Sequence, residues 1–198
     1  MSLYTWTSVI AIVLVGFSVG HWWGGRIAEY ARSRALVFTG WLVLAAAATS
    51  AIAIPALRFV AAHVFDTFAD PVWEIVVLTF CVFFLPSLFA GVPAPVLAHI
   101  AVADKHQNAG RALGTMFAAG AIGAIAGTLL AGFVFIPWLG TALTLAVVTL
   151  TYVFSGLLMI VLATGFSRMK SLTAIALVAA ALSLFPAIQT STCTRESQ

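Results

Sequence analysis

The sequence predicts an all-α, polytopic membrane helix bundle of about six transmembrane helices, and three observations carry that expectation. The 198 residues are 63% hydrophobic and 8% charged, against roughly 25% charged in an ordinary soluble domain. Mean hydropathy is +1.12. The charges are gathered, so that residues 1–23, 35–57, 75–98, 112–167 and 171–194 contain no Asp, Glu, Lys or Arg. About 20 residues at ~1.5 Å each cross a hydrocarbon core, and every one of these runs is long enough to do so.

The first span is expected over Leu3 to Trp23. Gly16, Gly20 and Gly24 recur at a spacing of four and share one helical face, which lets a second helix approach closely. His21, Trp22 and Trp23 at its end read as part of an interfacial aromatic belt. The second span is expected over Ala35 to Ala61, with Pro55 near its far end.

The third span is expected over Val72 to Ala98. Asp70 is placed to cap it, Pro71 suits its first turn, and Glu74 faces the positive end of the helix dipole. The same two carboxylates, Asp70 and Glu74, form a candidate cation site at an outward-facing mouth. Pro86 removes a backbone donor and predicts a kink around Phe84 to Ser87, while Pro93 and Pro95 are expected to close the helix. The following AHIAVADKHQNAGRA reads as a short amphipathic stretch along the membrane surface. Its His99 and His106 are seven residues apart, but the spans supply no second set of ligands, so no metal is expected.

The run at 112–167 is too long for one helix, and Pro137-Trp138-Leu139-Gly140 marks a tight turn within it. It divides into spans at Ala112 to Ile136 and Thr141 to Gly165, and a sixth span follows at Ser171 to Ala187. The fourth span carries Gly120, Gly123 and Gly127 with Ala124 and Ala131, and the first and fourth spans are the expected tightly packed centre. The whole forms one transmembrane domain over residues 1–188, with a polar tail at 189–198.

Orientation follows from the basic residues. Arg26, Arg32, Arg34, Lys105, Arg111, Arg168 and Lys170 fall in three loops on one side, and only Arg58 and Arg195 fall on the other. That asymmetry places the three loops in the cytoplasm and both termini outward. The N-terminal MSLYTWTSV has neither a basic n-region nor a small-residue cleavage site, so either the first helix inserts as a reverse anchor or a preceding helix is absent. The net charge of +3 is accounted for by the loops and calls for no nucleic-acid partner. Cys81 lies in a span and Cys193 in the tail, and they are not expected to pair.

The spans hold no charge deep in the bilayer, where each would cost about 2.5–3.5 kcal/mol and mark a functional site. No nucleophile-base pair and no phosphate-binding loop is present either. The sequence therefore predicts no catalytic residue, no cofactor and no enzyme.

GGRIAEYARSR resembles the loop between the second and third helices of major facilitator transporters, with Gly25, Ala28, Arg32 and Arg34 on the pattern and Glu29 in place of its acidic residue; Arg26 belongs to the same loop. A broader resemblance covers most of residues 3–141. LYTWTSVIAIVLVGFSVGHWWGGRIAE, FLPSLFAGVPAPVLAHIAV and GRALGTMFAAGAIGAIAGTLLAGFVFIPWLGT are similar, in that order, to three blocks of the membrane region of fused major-facilitator/spermidine-synthase-like proteins. The resemblance implies a major-facilitator-like half in a bacterial inner membrane. The family's helix before the YTWTSV block is missing, and so are the glycine-rich loop and acidic residues of the synthase, so neither aminopropyl transfer nor polyamine binding carries over.

Two functions follow as expectations. One is a non-catalytic accessory or scaffold subunit that packs in the lipid bilayer against other membrane proteins or a second copy of itself. The other is a reduced facilitator-like transporter of a small solute, cationic if the Asp70 and Glu74 mouth is used, acting as a homo-oligomer.

Overall fold

A computed structural model describes residues 3–67, 71–104 and 108–164. Among them there is no strand, and the order is α1 (Leu3–Ala28), α2 (Arg32–Thr67), α3 (Pro71–Gly91), α4 (Pro93–Ala103), α5 (Ala109–Leu129), a π-helical turn (Leu130–Phe135) and α6 (Ile136–Thr164). Among the described residues four helical stretches are long and apolar enough to cross a membrane: Leu3–Ala28, Arg32–Ala61, Val72–Ala103 and Ala109–Thr164. The span expected at Ser171 to Ala187 lies outside the described residues.

The first two helices are longer than the charge pattern suggests. α1 continues through Gly25 and Arg26 to Ala28, and α2 begins at Arg32. The connection expected to run from residue 24 to 34 thus shrinks to residues 29–31. Charged residues lower hydropathy without breaking a helix, and Arg has good helix propensity. α2 also passes Pro55 and ends at Thr67, beyond the expected boundary at Ala61.

The third span stays helical past the first of its prolines. Helix continues through Phe84 to Ser87 with Pro86 inside it, only Val92 separates it from the next helix, with φ −62° and ψ −40° that are themselves helical, and Pro93 and Pro95 open α4 rather than closing the helix. Proline in a first turn loses only a donor that has no intrahelical partner there, and its φ is already helical. Pro93 cannot donate to the Phe89 carbonyl, which instead accepts from the Val92 N–H at 3.3 Å. Much of the stretch expected to lie along the membrane surface is the end of α4, with Asp104 as its C-cap. Lys105 and His106 lie outside the described residues.

The expected turn at Pro137 to Gly140 narrows to one residue. Pro137, Trp138 and Leu139 stay helical, and Gly140 alone leaves the helix with φ 76° and ψ 172°. A side chain there would be strained, so glycine is the residue that permits the break.

The helices pack in two groups joined by α2. α1 lies along α3 and α4, α2 crosses α3, and α6 lies along α2. One core gathers Ile27, Ala28, Ala35, Val92 and Val96, and the other gathers Leu44, Ala47, Val153 and Ile160. Most span hydroxyls satisfy themselves locally, as where Thr39 donates to the Ala35 carbonyl at 2.8 Å and Ser18 to Leu14 at 2.8 Å. Thr149 is fully buried in α6, and its hydroxyl has no hydrogen-bond partner among the described residues.

Candidate functional site

The arginine segment is assembled from two helix ends. Gly25 and Arg26 sit on the last turn of α1, Glu29 in the connection, and Arg32 and Arg34 on the first turn of α2, all exposed. The acidic partner of Arg32 is not the neighbouring Glu29. Its Nη1 donates to Asp104 Oδ1 at 2.7 Å and Oδ2 at 2.8 Å, across 72 residues of chain. Sequence reasoning missed Asp104, whose one signal is an acidic residue beside Lys105 in an otherwise basic connection. The pair is exposed on both sides, so its strength is that of a surface ion pair.

Beneath that pair lies a cavity of about 180 Å³, lined by Tyr30, Arg32, His99, Ile100 and Asp104 among others. Tyr30 also meets Phe38 with ring centroids 6.0 Å apart. The ends of α1 and α4 and the start of α2 are therefore pinned together by one ion pair and a small apolar core. Among the described residues no three of His, Cys, Asp and Glu come together as metal ligands do. His99 stands on the cavity rim, and His21 stacks on Phe17 with centroids 6.1 Å apart.

Asp70 lies outside the described residues, while Glu74 occupies the first turn of α3, partly buried. The carboxylate pair expected at an outward mouth thus lies partly outside the described residues.

The two sets of glycines differ. A β-carbon on Gly16 would stand 2.8 Å from Ser87 Cβ, one on Gly20 would strike the Leu88 carbonyl oxygen, and one on Gly24 would stand 2.5 Å from the Val92 carbonyl oxygen. α1 thus lies directly against the backbone of α3 and the Val92 link. Gly120, Gly123 and Gly127, expected to share the packed centre, meet nothing within 4 Å among the described residues. From Gly114 to Leu130 every residue except Met116 is exposed, including Phe117 at 71%. The second close crossing is instead between α2 and α6, where a β-carbon on Gly156 would stand 2.9 Å from the Gly40 carbonyl oxygen. Each of those glycines is isolated in its helix, so no spacing announces the contact.

No protein-family model, curated protein or solved structure matches this chain. The class that stands on the geometry alone is an all-helical protein whose helices suit a membrane.

Proposed function

We propose that this chain is a non-catalytic, multi-pass inner-membrane subunit that serves as an accessory or scaffold in a larger assembly. The observation that carries this reading is α5. It presents a face of Gly120, Gly123 and Gly127 with nothing against it among the described residues, flanked by exposed Phe117, Ile122 and Ile125. Glycine weakens a helix interior by roughly 0.5–1 kcal/mol relative to alanine, and close helix approach is what offsets that cost in a bilayer. In the proposed topology the fold has six spans, the Arg26 to Arg34 segment faces the cytoplasm, and both termini face outward.

The test is site-specific photo-crosslinking in native membranes from position 117 on α5, with position 14 on α1 as an exposed control. The expected result is one adduct of defined mass from position 117, identified as a different membrane protein in fixed stoichiometry and absent from position 14. A purified chain that runs as a free monomer and yields no adduct sinks the reading.

A facilitator-like transporter acting as a homo-oligomer is the second reading. It is favoured by the π-helical turn at Leu130–Phe135, since π turns recur at functional sites. An adduct of the chain with itself, together with solute uptake by reconstituted vesicles, would select it.

A further inference from the structure

α1 has two unlike faces at its C-terminal end. One is occupied, with Gly20, Gly24, Ile27 and Ala28 buried. Beside it opens a hollow of about 450 Å³ lined by Val19, Trp22, Trp23, Arg26 and Tyr30, with the buried Ile27 on the border between the two faces, above the roughly 300 Å³ at which small-molecule sites begin. Trp22 is 60% exposed and Tyr30 55%. The hollow is a surface of the helix, not a gap between helices.

Its chemistry is that of a seat for an oxyanion beside hydrocarbon. The Arg26 guanidinium carbon lies 3.9 Å from the centroid of the Trp22 ring. The indole covers one face of the guanidinium and leaves its N–H edge free to donate. Among the described residues the one ion pair is Arg32 with Asp104, so Arg26 keeps its charge without a carboxylate. Val19 and the two indoles continue the hollow toward the apolar middle of the helix.

Position along the helix agrees with this. α1 has 26 residues and is about 39 Å long at ~1.5 Å per residue, against about 30 Å of hydrocarbon. A helix that enters the hydrocarbon near Leu3 leaves it at Trp22 and Trp23, and Arg26 then stands one turn further, at the depth of lipid phosphates.

We propose that Trp22 and Arg26 of α1, with Tyr30 just beyond its end, seat the headgroup phosphate of an anionic phospholipid, with Arg26 donating to the phosphate oxygens and Val19 and Trp23 lying along the first part of an acyl chain. The proposal rests on the membrane reading and adds a specific ligand site to it.

The test uses the full chain in nanodiscs of phosphatidylcholine with a minor fraction of phosphatidylglycerol, and measures which lipid stays bound after transfer to detergent. Wild type is expected to enrich phosphatidylglycerol by about fivefold, the scale of one cationic side chain at an anionic surface. Arg26→Gln should abolish the enrichment, Arg34→Gln, at the same end but off the hollow, should leave it, and Arg26→Lys should keep part of it. Equal losses from Arg26→Gln and Arg34→Gln would reduce the effect to diffuse surface charge and overturn the site. Displacement of the bound lipid by millimolar inorganic phosphate would overturn the lipid assignment in favour of a free anion. If Arg26→Gln does not fold, the wild-type enrichment and the Arg26→Lys variant decide the matter, with no enrichment in the former or an unchanged one in both Arg34→Gln and a Trp22→Leu, Arg26→Lys double variant overturning it. A chain that never enters nanodiscs would instead remove the membrane reading, which keeps the two failures apart.

Discussion

The glycine face of α1 and the glycine face of α5 are built alike in sequence and end in opposite surroundings. Gly16, Gly20 and Gly24 lie so near α3, Val92 and Pro95 that no β-carbon fits, whereas Gly120, Gly123 and Gly127 meet nothing within 4 Å among the described residues. Spacing therefore states which side of a helix can be approached closely; it does not state by what. On α1 the partner is supplied within the chain by the stretch from Ser87 to Val92. On α5 the described chain supplies mainly α4, and Ala112 in the first turn is the one buried residue of the helix.

The sharpest way to break this comparison is a pair of identical substitutions. In Gly20→Ala the new methyl meets the Leu88 carbonyl, which is backbone and cannot rotate away as a side chain would. The helices must separate, with a cost of at least about 1–3 kcal/mol. Gly123→Ala meets nothing among the described residues and raises helix propensity, so the isolated chain should be unchanged or more stable by up to about 1 kcal/mol. Thermal unfolding of both variants in one detergent checks the contrast. Equal destabilisation would mean that the face of α5 is filled within the chain, and the proposed partner surface would disappear. If the subunit reading holds, Gly123→Ala should instead weaken only the α5 adduct.

What the sequence made legible follows the same division. Helix class and most span positions were readable because uncharged runs of twenty or more residues have few other uses. The break at Gly140 was readable because proline and glycine stand together there, although only Gly140 leaves the helix. Boundaries set by charge were not, since Arg26 and Arg32 extend helices rather than end them. Pro93 and Pro95 were expected to close the third span because prolines look alike in sequence, and only position within a helix decides whether a proline's missing donor matters. Asp104 and the crossing of Gly40 with Gly156 depend on long-range packing, and no local pattern carries them.

An intermediate effect is expected where the second group of helices carries an unmet polar group. Thr149 and Thr39 are both fully buried, but Thr39 donates to Ala35 while Thr149 has no partner among the described residues. Valine has nearly the same shape as threonine without the hydroxyl. Thr149→Val should therefore stabilise by about 1 kcal/mol, because a buried group that lacks a hydrogen bond bears its desolvation cost in full. Thr39→Val removes a hydrogen bond that is made, and should be neutral or mildly destabilising. Denaturant midpoints of the two variants measure the difference, and the opposite order would show that the Thr149 hydroxyl is satisfied in the folded chain.

The smallest effect belongs to the Arg32 and Asp104 pair, even though it joins distant parts of the chain. Both side chains are more than half exposed, at 61% and 51%, and both carboxylate oxygens accept from a single nitrogen rather than from a two-pronged fork. Such pairs contribute about 0.2–1 kcal/mol and are screened by salt. Arg32→Gln should thus shift the melting temperature only slightly, and less at 0.5 M salt than at low salt, where the Debye length is about 10 Å or more. The connection between α1 and α2 would still be held by Ile27, Ala28, Ala35 and Val96, which owe nothing to ionic strength. A large, salt-independent loss would reverse the ranking and make the charged end of the bundle, rather than the glycine seam, the feature that holds α1 in place.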